Sequence, residues 1–368
     1  MSGDAVTVRG EPVVTLTPPS AEHAFGFLTA QVLPGCGMMI LQLTARHPEL
    51  GSIDLLAAPP LDRARQLLEA GADSPGRPPG FSRNVEFSMG APILAPFANR
   101  IRGRAVDGGR EIRTTTGTRE ITLPANWSGT ATGAERYAMH GLLLGARVRD
   151  IVRAREGDRD VVRASYDAGS FGGHWPSRTR LDFEYALSAQ RFEIAVRATN
   201  TGDETLPMGI GSHPYFRFPS GDRSQARLHI PARLRALVDD YDAVLPTGVL
   251  EPVSGTAYDF SAAEGRALAD QYLDDCFAGL DRNDAGAVVC EIRDPAATYG
   301  LRIIGASPEI RAVQVYAPPA EAFVALEPQY NLADPFGAEW PAGTDTGMVM
   351  LASGQSTEYR IALEMFRP

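Results

Sequence analysis

The chain has 368 residues, of which 44% are hydrophobic and 22% are charged, and its formal net charge at pH 7 is −10. A chain of this length and composition can bury a large core without help from disulfides or metals. Its negative charge repels polyanions, so we expect neither nucleic acid nor an acidic membrane surface as a partner.

Cysteine usage and the N-terminus predict the compartment. Cys36, Cys276 and Cys290 are odd in number and lack paired spacing, which argues against a disulfide framework and against a zinc cage. Residues 1–20 have no apolar core of the signal-peptide type, and no stretch approaches the ~18 apolar residues of a membrane span. We therefore predict a cytoplasmic protein in a reducing environment.

Helical periodicity is scarce in this chain, and one segment shows it most clearly. An apolar stripe at helical spacing predicts a helix over Leu61–Ala70, with Gly71 as its C-cap. Residues 73–80 are rich in proline and glycine, and they predict a surface loop after this helix.

Short segments with one apolar and one polar face dominate the rest of the chain. Apolar residues occupy every second position from Leu181 to Leu187, from Phe192 to Ala198 and from Tyr359 to Met365. The 37 glycines and 28 prolines predict many turns between strands. The pattern indicates an all-β fold, a large antiparallel β-sandwich with one or two short helices, in a single domain over residues 1–368.

Three polar residues lie within or at the end of apolar segments, and the segment around His213 is too apolar for a casual surface loop. His140 follows a strand-like run, His213 lies in an apolar stretch over residues 207–216, and Glu327 ends another over residues 323–327. A histidine in such a place is more commonly a hydrogen-bonded core residue than a catalyst, and Glu327 is equally well explained as a surface glutamate before a turn proline. If Glu327 is buried, its pKa rises toward the range useful for a general base.

Two further polar residues lie in turns. Arg100 follows Asn99, and its guanidinium fork suits hydroxyl groups or an acidic neighbour, although turn arginines usually bind neither. His174 precedes Trp175 in a glycine-rich turn. Each of these signals is weak by itself.

Together and in this order, six segments of the chain resemble the aldose 1-epimerase (galactose mutarotase) family, over roughly residues 90 to 335. They are Asn99-Arg100-Ile101-Arg102-Gly103, His140-Gly141, His213-Pro214-Tyr215-Phe216, Pro246-Thr247-Gly248 with Thr256-Ala257-Tyr258-Asp259-Phe260, Asp274-Asp275-Cys276-Phe277, and Leu326-Glu327-Pro328. The chain resembles a divergent member, because the better-known galactose mutarotases carry another glycine and an aromatic residue where this sequence has Leu142-Leu143-Leu144-Gly145.

The resemblance implies a β-supersandwich with a sugar cleft on one sheet face, and an enzyme that interconverts the anomers of a free aldose. It makes Glu327 the general base and His213 the general acid. It assigns the sugar hydroxyls to Arg100, His140 and Asp274, with Asn99 as a weaker candidate, and it places His174 in a loop that shapes sugar preference. The expected ligand is a monosaccharide, no metal or other cofactor is expected, and the protein is expected to be a monomer or a homodimer.

Three alternatives stay open on the same fold. A hexose-phosphate mutarotase would need basic side chains at the cleft rim, for which the candidates are Arg100, Arg102, Arg104 and Arg217. A non-catalytic carbohydrate-binding protein would keep the fold and lose the chemistry. A repurposed enzyme would use the same acid/base pair for another isomerisation or for an elimination.

Overall fold

The structure is a computed structural model that describes residues 6–19, 23–70, 84–117 and 119–368. Its strands pair antiparallel and dominate the described residues, which confirms the predicted all-β fold. No helix in these ranges is long and apolar enough to cross a membrane. The single domain over residues 1–368 stays a prediction.

The elements follow one another along the chain in three groups. The first group is β1 (Thr7–Val8), β2 (Glu11–Pro12), β3 (Val14–Leu16), β4 (Gly26–Leu33), β5 (Met39–His47), β6 (Gly51–Asp54), α1 (Leu61–Glu69), β7 (Ile93–Leu94), β8 (Arg100–Ile101), β9 (Arg104–Val106), β10 (Glu111–Thr116), β11 (Arg119–Pro124), β12 (Trp127–Ser128) and β13 (Arg136–Met139). The second group is β14 (Asp150–Glu156), β15 (Arg159–Gly169), β16 (Thr179–Leu187), β17 (Arg191–Asn200), β18 (Leu206–Met208), β19 (Gly211–Ser212), β20 (Tyr215–Arg217), β21 (Arg227–His229), β22 (Ala232–Val238), β23 (Pro246–Pro252) and β24 (Arg266–Ala267). The third group is β25 (Leu273–Leu280), β26 (Val288–Asp294), β27 (Tyr299–Gly305), β28 (Ala312–Ala317), β29 (Phe323–Gln329), β30 (Val349–Leu351) and β31 (Ser356–Phe366). Short 3₁₀ turns lie at Pro34–Cys36, Val85–Phe87, Asp107–Gly109, Phe171–Gly173, Arg223–Gln225 and Pro295–Ala297.

The predicted helix is confirmed as α1, with its end one residue earlier than expected. It buries Ala64 and Leu68, in agreement with the apolar stripe in the sequence. Ala70 already leaves the helical conformation, and its backbone N–H donates to the Gln66 carbonyl. The predicted C-cap Gly71 and the predicted loop over residues 73–80 lie outside the described residues.

Two large sheets form the body of the described fold. The nine-stranded sheet has the order β14-β15-β16-β17-β31-β27-β26-β21-β24, and the six-stranded sheet has the order β20-β29-β28-β25-β22-β23. A four-stranded sheet has the order β3-β4-β5-β6. The three alternating segments predicted from the sequence are β16, β17 and β31, which are neighbours in the nine-stranded sheet.

Alternation along the six-stranded sheet gives it two different faces. Val313, Val315, Val324 and Leu326 are fully buried, and they belong to the same hydrophobic cluster as apolar residues of the nine-stranded sheet. Each such side chain contributes about 1.5–3 kcal/mol through burial. The phenol of Tyr359 on β31 also donates to the Pro328 carbonyl on β29 at 2.6 Å. The intervening residues of β28 and β29 therefore point to the opposite face of the six-stranded sheet.

Candidate active site

A cavity of about 510 Å³ opens on that opposite face of the six-stranded sheet. Its volume falls within the range of about 300–1,000 Å³ that is typical of small-molecule sites. Separate parts of the chain bring five of the predicted site residues together around it: Arg100, His140, His213, Asp274 and Glu327.

Glu327 and His213 face each other in this cavity. Glu327 lies on β29 directly opposite Gln314 of β28, and His213 lies in the link between β19 and β20. Oε1 of Glu327 is 3.4 Å from Nε2 of His213, and both side chains are buried. The imidazole stacks on the ring of Tyr215 at a centroid distance of 4.5 Å. The sheet and the aromatic ring thus fix the carboxyl group and the imidazole relative to each other.

Burial controls the charge of this pair. It raises the pKa of Glu327 well above the ordinary value of a carboxyl group; Asp274 adds to this rise and Arg100 opposes it. Burial also lowers the pKa of His213 to about 3. Both shifts disfavour the charged forms. At this pair, burial therefore favours a neutral carboxyl group and a neutral imidazole over a carboxylate and an imidazolium.

Several buried polar atoms of the cavity have no hydrogen-bond partner in the described part of the chain. They are both carboxylate oxygens of Glu327, both ring nitrogens of His140, and Nδ1 of His213. A buried polar group without a partner costs free energy, so such groups are rare unless a ligand or water satisfies them. Their concentration at one place indicates a site for a small ligand with several hydroxyl groups.

Local backbone geometry positions His140 at the cavity wall. His140 has a positive φ of 63°, an uncommon conformation for a residue other than glycine, and its backbone N–H donates to the Asn99 carbonyl. The next residue must be glycine, since a Cβ on Gly141 would lie 2.3 Å from the Ala95 carbonyl oxygen. The imidazole of His140 packs edge-on against Phe87 and against His213, with centroid distances of 4.7 and 5.0 Å.

Arg100, Asp274, Gln314 and Asn99 form a closed ring of hydrogen bonds at the cavity floor. Nη2 of Arg100 donates to Oδ2 of Asp274 at 3.2 Å, and Nε2 of Gln314 donates to Oδ1 of Asp274 at 2.7 Å. Asn99 completes the ring by donating to Gln314 at 2.8 Å and accepting from Arg100 at 2.9 Å. Burial raises the pKa of Asp274, and Arg100 opposes the rise. The ring holds the guanidinium and the carboxyl group of Asp274 at fixed places in the cavity.

Two predicted site residues lie outside the cavity. Asn99 lies behind Arg100 and Gln314, and its amide is used in the ring of hydrogen bonds. His174 belongs to a turn that packs against β11, where its Nδ1 lies 2.7 Å from the Thr122 carbonyl oxygen. Neither side chain lines the cavity, so we assign neither a direct sugar contact. The sequence could not show that the turn at His174 folds against β11.

The cavity also contains residues that the sequence analysis did not select. Gln314 lines its floor, as do the aromatic residues Tyr272, Tyr316 and Phe323. The signal for Gln314 was its polar side chain between Val313 and Val315 in an otherwise apolar strand. On the wall near His140, Phe87 and Trp127 supply aromatic rings. An aromatic wall is therefore present even though Leu142, Leu143 and Leu144 follow the His-Gly segment.

Solved structures first define the class of the fold. A galactose mutarotase-like protein from Clostridium acetobutylicum has a TM-score of 0.72 to this chain, covers 93% of both chains and is 18% identical in sequence. At that identity the similarity establishes a galactose mutarotase-like fold and no more. It fits the antiparallel sheets and the open cavity described above.

The family follows from the sequence comparison. Residues 80–364 match the sequence model of the aldose 1-epimerase family, and the chain belongs to that family. An uncharacterised protein of Escherichia coli K12, YphB, is 25% identical over 297 residues, which are 78% of this chain and 87% of that protein. The galactose mutarotase of the mouse is 24% identical over 255 residues, which are 68% of each protein. Membership in this family confirms the resemblance found in the six segments.

Proposed function

We propose that this protein is an aldose 1-epimerase, an isomerase that interconverts the α and β anomers of a free aldose. One observation carries the proposal: a carboxyl group and an imidazole, 3.4 Å apart and both buried, face one cavity with polar atoms that lack partners among the described residues. A cyclic sugar offers hydroxyl groups and a ring oxygen to such atoms. Family membership and the mutarotase-like fold support the same reaction.

The reaction needs one proton acceptor and one proton donor, and it needs no net change in the protonation of the enzyme. Glu327 takes the proton from the C1 hydroxyl as the C1 oxygen becomes a carbonyl. The bond between C1 and the ring oxygen breaks, and His213 gives a proton to that oxygen. The open-chain aldehyde rotates about the bond between C1 and C2 and closes on either face. Such acid/base assistance contributes about 10²–10⁴-fold for each group.

The proposed roles require a carboxylate at Glu327 and a proton on His213 when the sugar reacts. Burial alone favours the proton on Glu327 over His213, because it raises the pKa of the carboxyl group and lowers that of the imidazole. Hydrogen bonds from sugar hydroxyls to the unpartnered oxygens of Glu327 favour the carboxylate form. We propose that sugar binding moves the proton across the 3.4 Å between the two groups. The total charge of the cavity stays unchanged by this transfer.

The cavity does not favour the hexose-phosphate alternative. Among its described lining residues, Arg100 is the one cationic side chain, and its charge is compensated by Asp274. Arg102 pairs with Asp334 at 3.4 Å, the Nε of Arg217 donates to the Leu56 carbonyl, and Arg104 is exposed on β9. Within the described part of the chain, no cluster of free basic groups faces the cavity to neutralise a phosphate.

Polarimetry of freshly dissolved α-D-glucose and α-D-galactose tests the proposal. We expect the wild-type protein to speed the drift to anomeric equilibrium, and we expect Glu327→Gln or His213→Asn to remove most of that acceleration. Glu291→Gln and His229→Asn are matched controls outside the cavity, and they should keep wild-type activity. If the wild type matches the buffer rate with both sugars, the proposed activity on free hexoses is wrong. Binding without acceleration would favour the carbohydrate-binding alternative.

A further inference from the structure

Two loops meet where the cavity opens to solvent. The first loop is residues 125–135, between β11 and β13, and the second loop is residues 239–245, between β22 and β23. The first contributes Trp127 and Thr130 to the cavity lining, and the second contributes Tyr241, Asp242 and Val244. Thr130 and Asp242 are 112 residues apart in the sequence, so a contact between them decides how two separate walls of the cavity are placed.

The carboxylate of Asp242 joins the two loops. The backbone N–H of Thr130 donates to its Oδ1 and Oδ2 at 2.7 and 2.9 Å, and the Thr130 hydroxyl donates to Oδ1 at 2.5 Å. The N–H of Ala131 donates to Oδ2 at 3.1 Å. We call Asp242 with Thr130 and Ala131 the clasp. Hydrogen bonds to a charged acceptor are stronger than those between neutral groups, so the clasp is a firm link although Asp242 and Thr130 are exposed.

The backbone on both sides is shaped for the clasp. A Cβ on Gly129 would lie 2.4 Å from Oδ2 of Asp242, so glycine is needed for the first loop to approach the carboxylate. In the second loop, Oδ1 of Asp240 accepts from the N–H of Asp242 and of Ala243, both at 2.8 Å. The phenol of Tyr137 on β13 donates to the Ala243 carbonyl at 2.9 Å. The second loop is therefore anchored, and the clasp ties the first loop to it.

The clasp acts on the walls of the cavity and leaves the acid/base pair untouched. Glu327 lies on β29 and His213 lies in the link between β19 and β20, so neither belongs to the two loops. Trp127 of the first loop packs on Phe87, with a centroid distance of 5.4 Å. Without the clasp, the wall that carries Trp127 is free to move away from Tyr241. A sugar would then have to order both walls when it binds, which weakens its affinity.

We propose that Asp242 is a positioning residue, which ties the two walls of the cavity together at its opening and thereby sets the affinity for the sugar. The chemical step at Glu327 and His213 does not depend on it. This inference rests on the proposed aldose 1-epimerase function. Asp242 acts through the two loops and not on the reacting atoms.

The kinetics of Asp242→Ala give the first test, with anomer exchange of D-glucose measured by NMR exchange spectroscopy. Loss of the charged acceptor should raise KM about tenfold and leave kcat close to the wild-type value. Asp242→Asn keeps one acceptor oxygen for Thr130 but not the second oxygen for Ala131, so its KM should lie between the two. An unchanged KM, or a loss confined to kcat, would overturn the proposal.

Asp222→Ala is the matched control. Asp222 is also an exposed aspartate, and it accepts from the backbone N–H and the hydroxyl of Ser224 at 2.9 and 2.6 Å, but it lies outside the cavity lining. Its removal should leave KM at the wild-type value. A rise in KM as large as that of Asp242→Ala would mean that KM responds to any loosened turn, and the assignment to Asp242 would be wrong.

Quenching of tryptophan fluorescence by acrylamide tests the clasp without any sugar. The chain has three tryptophans, of which Trp175 and Trp340 are buried at 2% and 8% exposure, so the change at the cavity is reported by Trp127. Asp242→Ala should increase the quenching constant, and Asp222→Ala should not. The increase should be absent when Asp242→Ala is combined with Trp127→Phe.

The quenching result separates failure of this inference from failure of the proposed function. If the wild type accelerates anomer exchange of no sugar, the proposed function is wrong, and an increase in quenching in Asp242→Ala would still support the link between the two walls. Equal quenching in Asp242→Ala and in the wild type would overturn the clasp, whatever the activity.

Discussion

The carboxamide of Asn331 pairs with both backbone polar groups of Ala98. Its Oδ1 accepts from the Ala98 N–H at 3.0 Å, and its Nδ2 donates to the Ala98 carbonyl at 2.8 Å. Three residues further along, the N–H of Asp334 donates to the Arg100 carbonyl at 2.7 Å. Residues 331–334, which follow Glu327 in the chain, therefore hold the turn that brings Arg100 into the cavity. The positions of the Glu327 and Arg100 side chains are coupled through this contact.

Asn331→Ala should reduce both stability and substrate affinity. The substitution leaves the buried N–H and carbonyl of Ala98 without partners, at a cost of about 1–3 kcal/mol in the free energy of unfolding. It also frees the turn that carries Arg100, so KM for the aldose should rise. Urea unfolding and anomer-exchange kinetics measure the two effects. Asn200→Ala is a matched control, because buried Asn200 also binds backbone groups but lies away from the cavity. It should lose stability with KM unchanged.

Breaking the Arg100–Asp274 pair should cost more than breaking a surface pair. Both side chains are nearly inaccessible, with exposures of 5% and 12%. Arg100→Met leaves a buried carboxylate without its charge partner, which costs about 3–5 kcal/mol. The exposed pair of Arg180 and Asp182 is the control, and Arg180→Met should change the free energy of unfolding much less, because solvent screens an exposed pair. Similar losses in urea unfolding for both substitutions would contradict the account of the buried pair.

Glu327→Gln should stabilise the fold while it removes activity. Burial raises the pKa of Glu327 above 4.5, so its favourable contribution to stability is present below pH 4.5 and is lost as the pH rises. Glutamine keeps the shape and carries no charge. The variant should therefore melt at a higher temperature than the wild type at pH 8, and the difference should shrink toward pH 4. If Glu327→Gln lowered the Tm by the same amount at pH 8 and at pH 4, burial would not disfavour the charged form of Glu327.

His213 should make the fold sensitive to acid. Burial lowers its pKa from 6.5 to about 3, so the stability it contributes is present above pH 6.5 and is lost as the pH falls toward 3. The asparagine in His213→Asn does not titrate in this pH range. When the pH is lowered from 7 to 4, the Tm of the wild type should therefore fall more than the Tm of the variant. A constant difference across this range would contradict the burial of a neutral imidazole.

The sheet architecture could be predicted because it depends on local patterns. The alternation from Leu181 to Leu187 and from Phe192 to Ala198 shows which residues of β16 and β17 enter the core. A shift of either strand by one residue would turn its apolar side chains to the solvent face, so the pattern fixes the face that is buried. The helix α1 was predictable from its apolar stripe. The order of the strands within each sheet could not be predicted. Neighbouring strands such as β17 and β31 are far apart in the sequence, and no local pattern shows that they pair.

The site could be predicted in part, and the failures have physical reasons. Glu327 and His213 stood out because a polar group within an apolar strand needs a partner or a ligand. Gln314 and Tyr316 gave a weaker signal, since alternation assigns them to a face of β28 but does not show that this face opens into a cavity. The position of His174 outside the cavity could not be predicted, because the direction of its turn depends on contacts such as that with Thr122 on β11, which no local pattern reveals.

Anomer exchange of D-glucose at equilibrium, measured by NMR for wild type, Glu327→Gln, His213→Asn and the double variant, tests the central claim most directly. If the two residues act as one acid/base pair, each single variant should lose about 100-fold or more, and the double variant should lose little beyond that. A wild type that exchanges at the buffer rate, or single variants that keep the wild-type rate, would contradict the account.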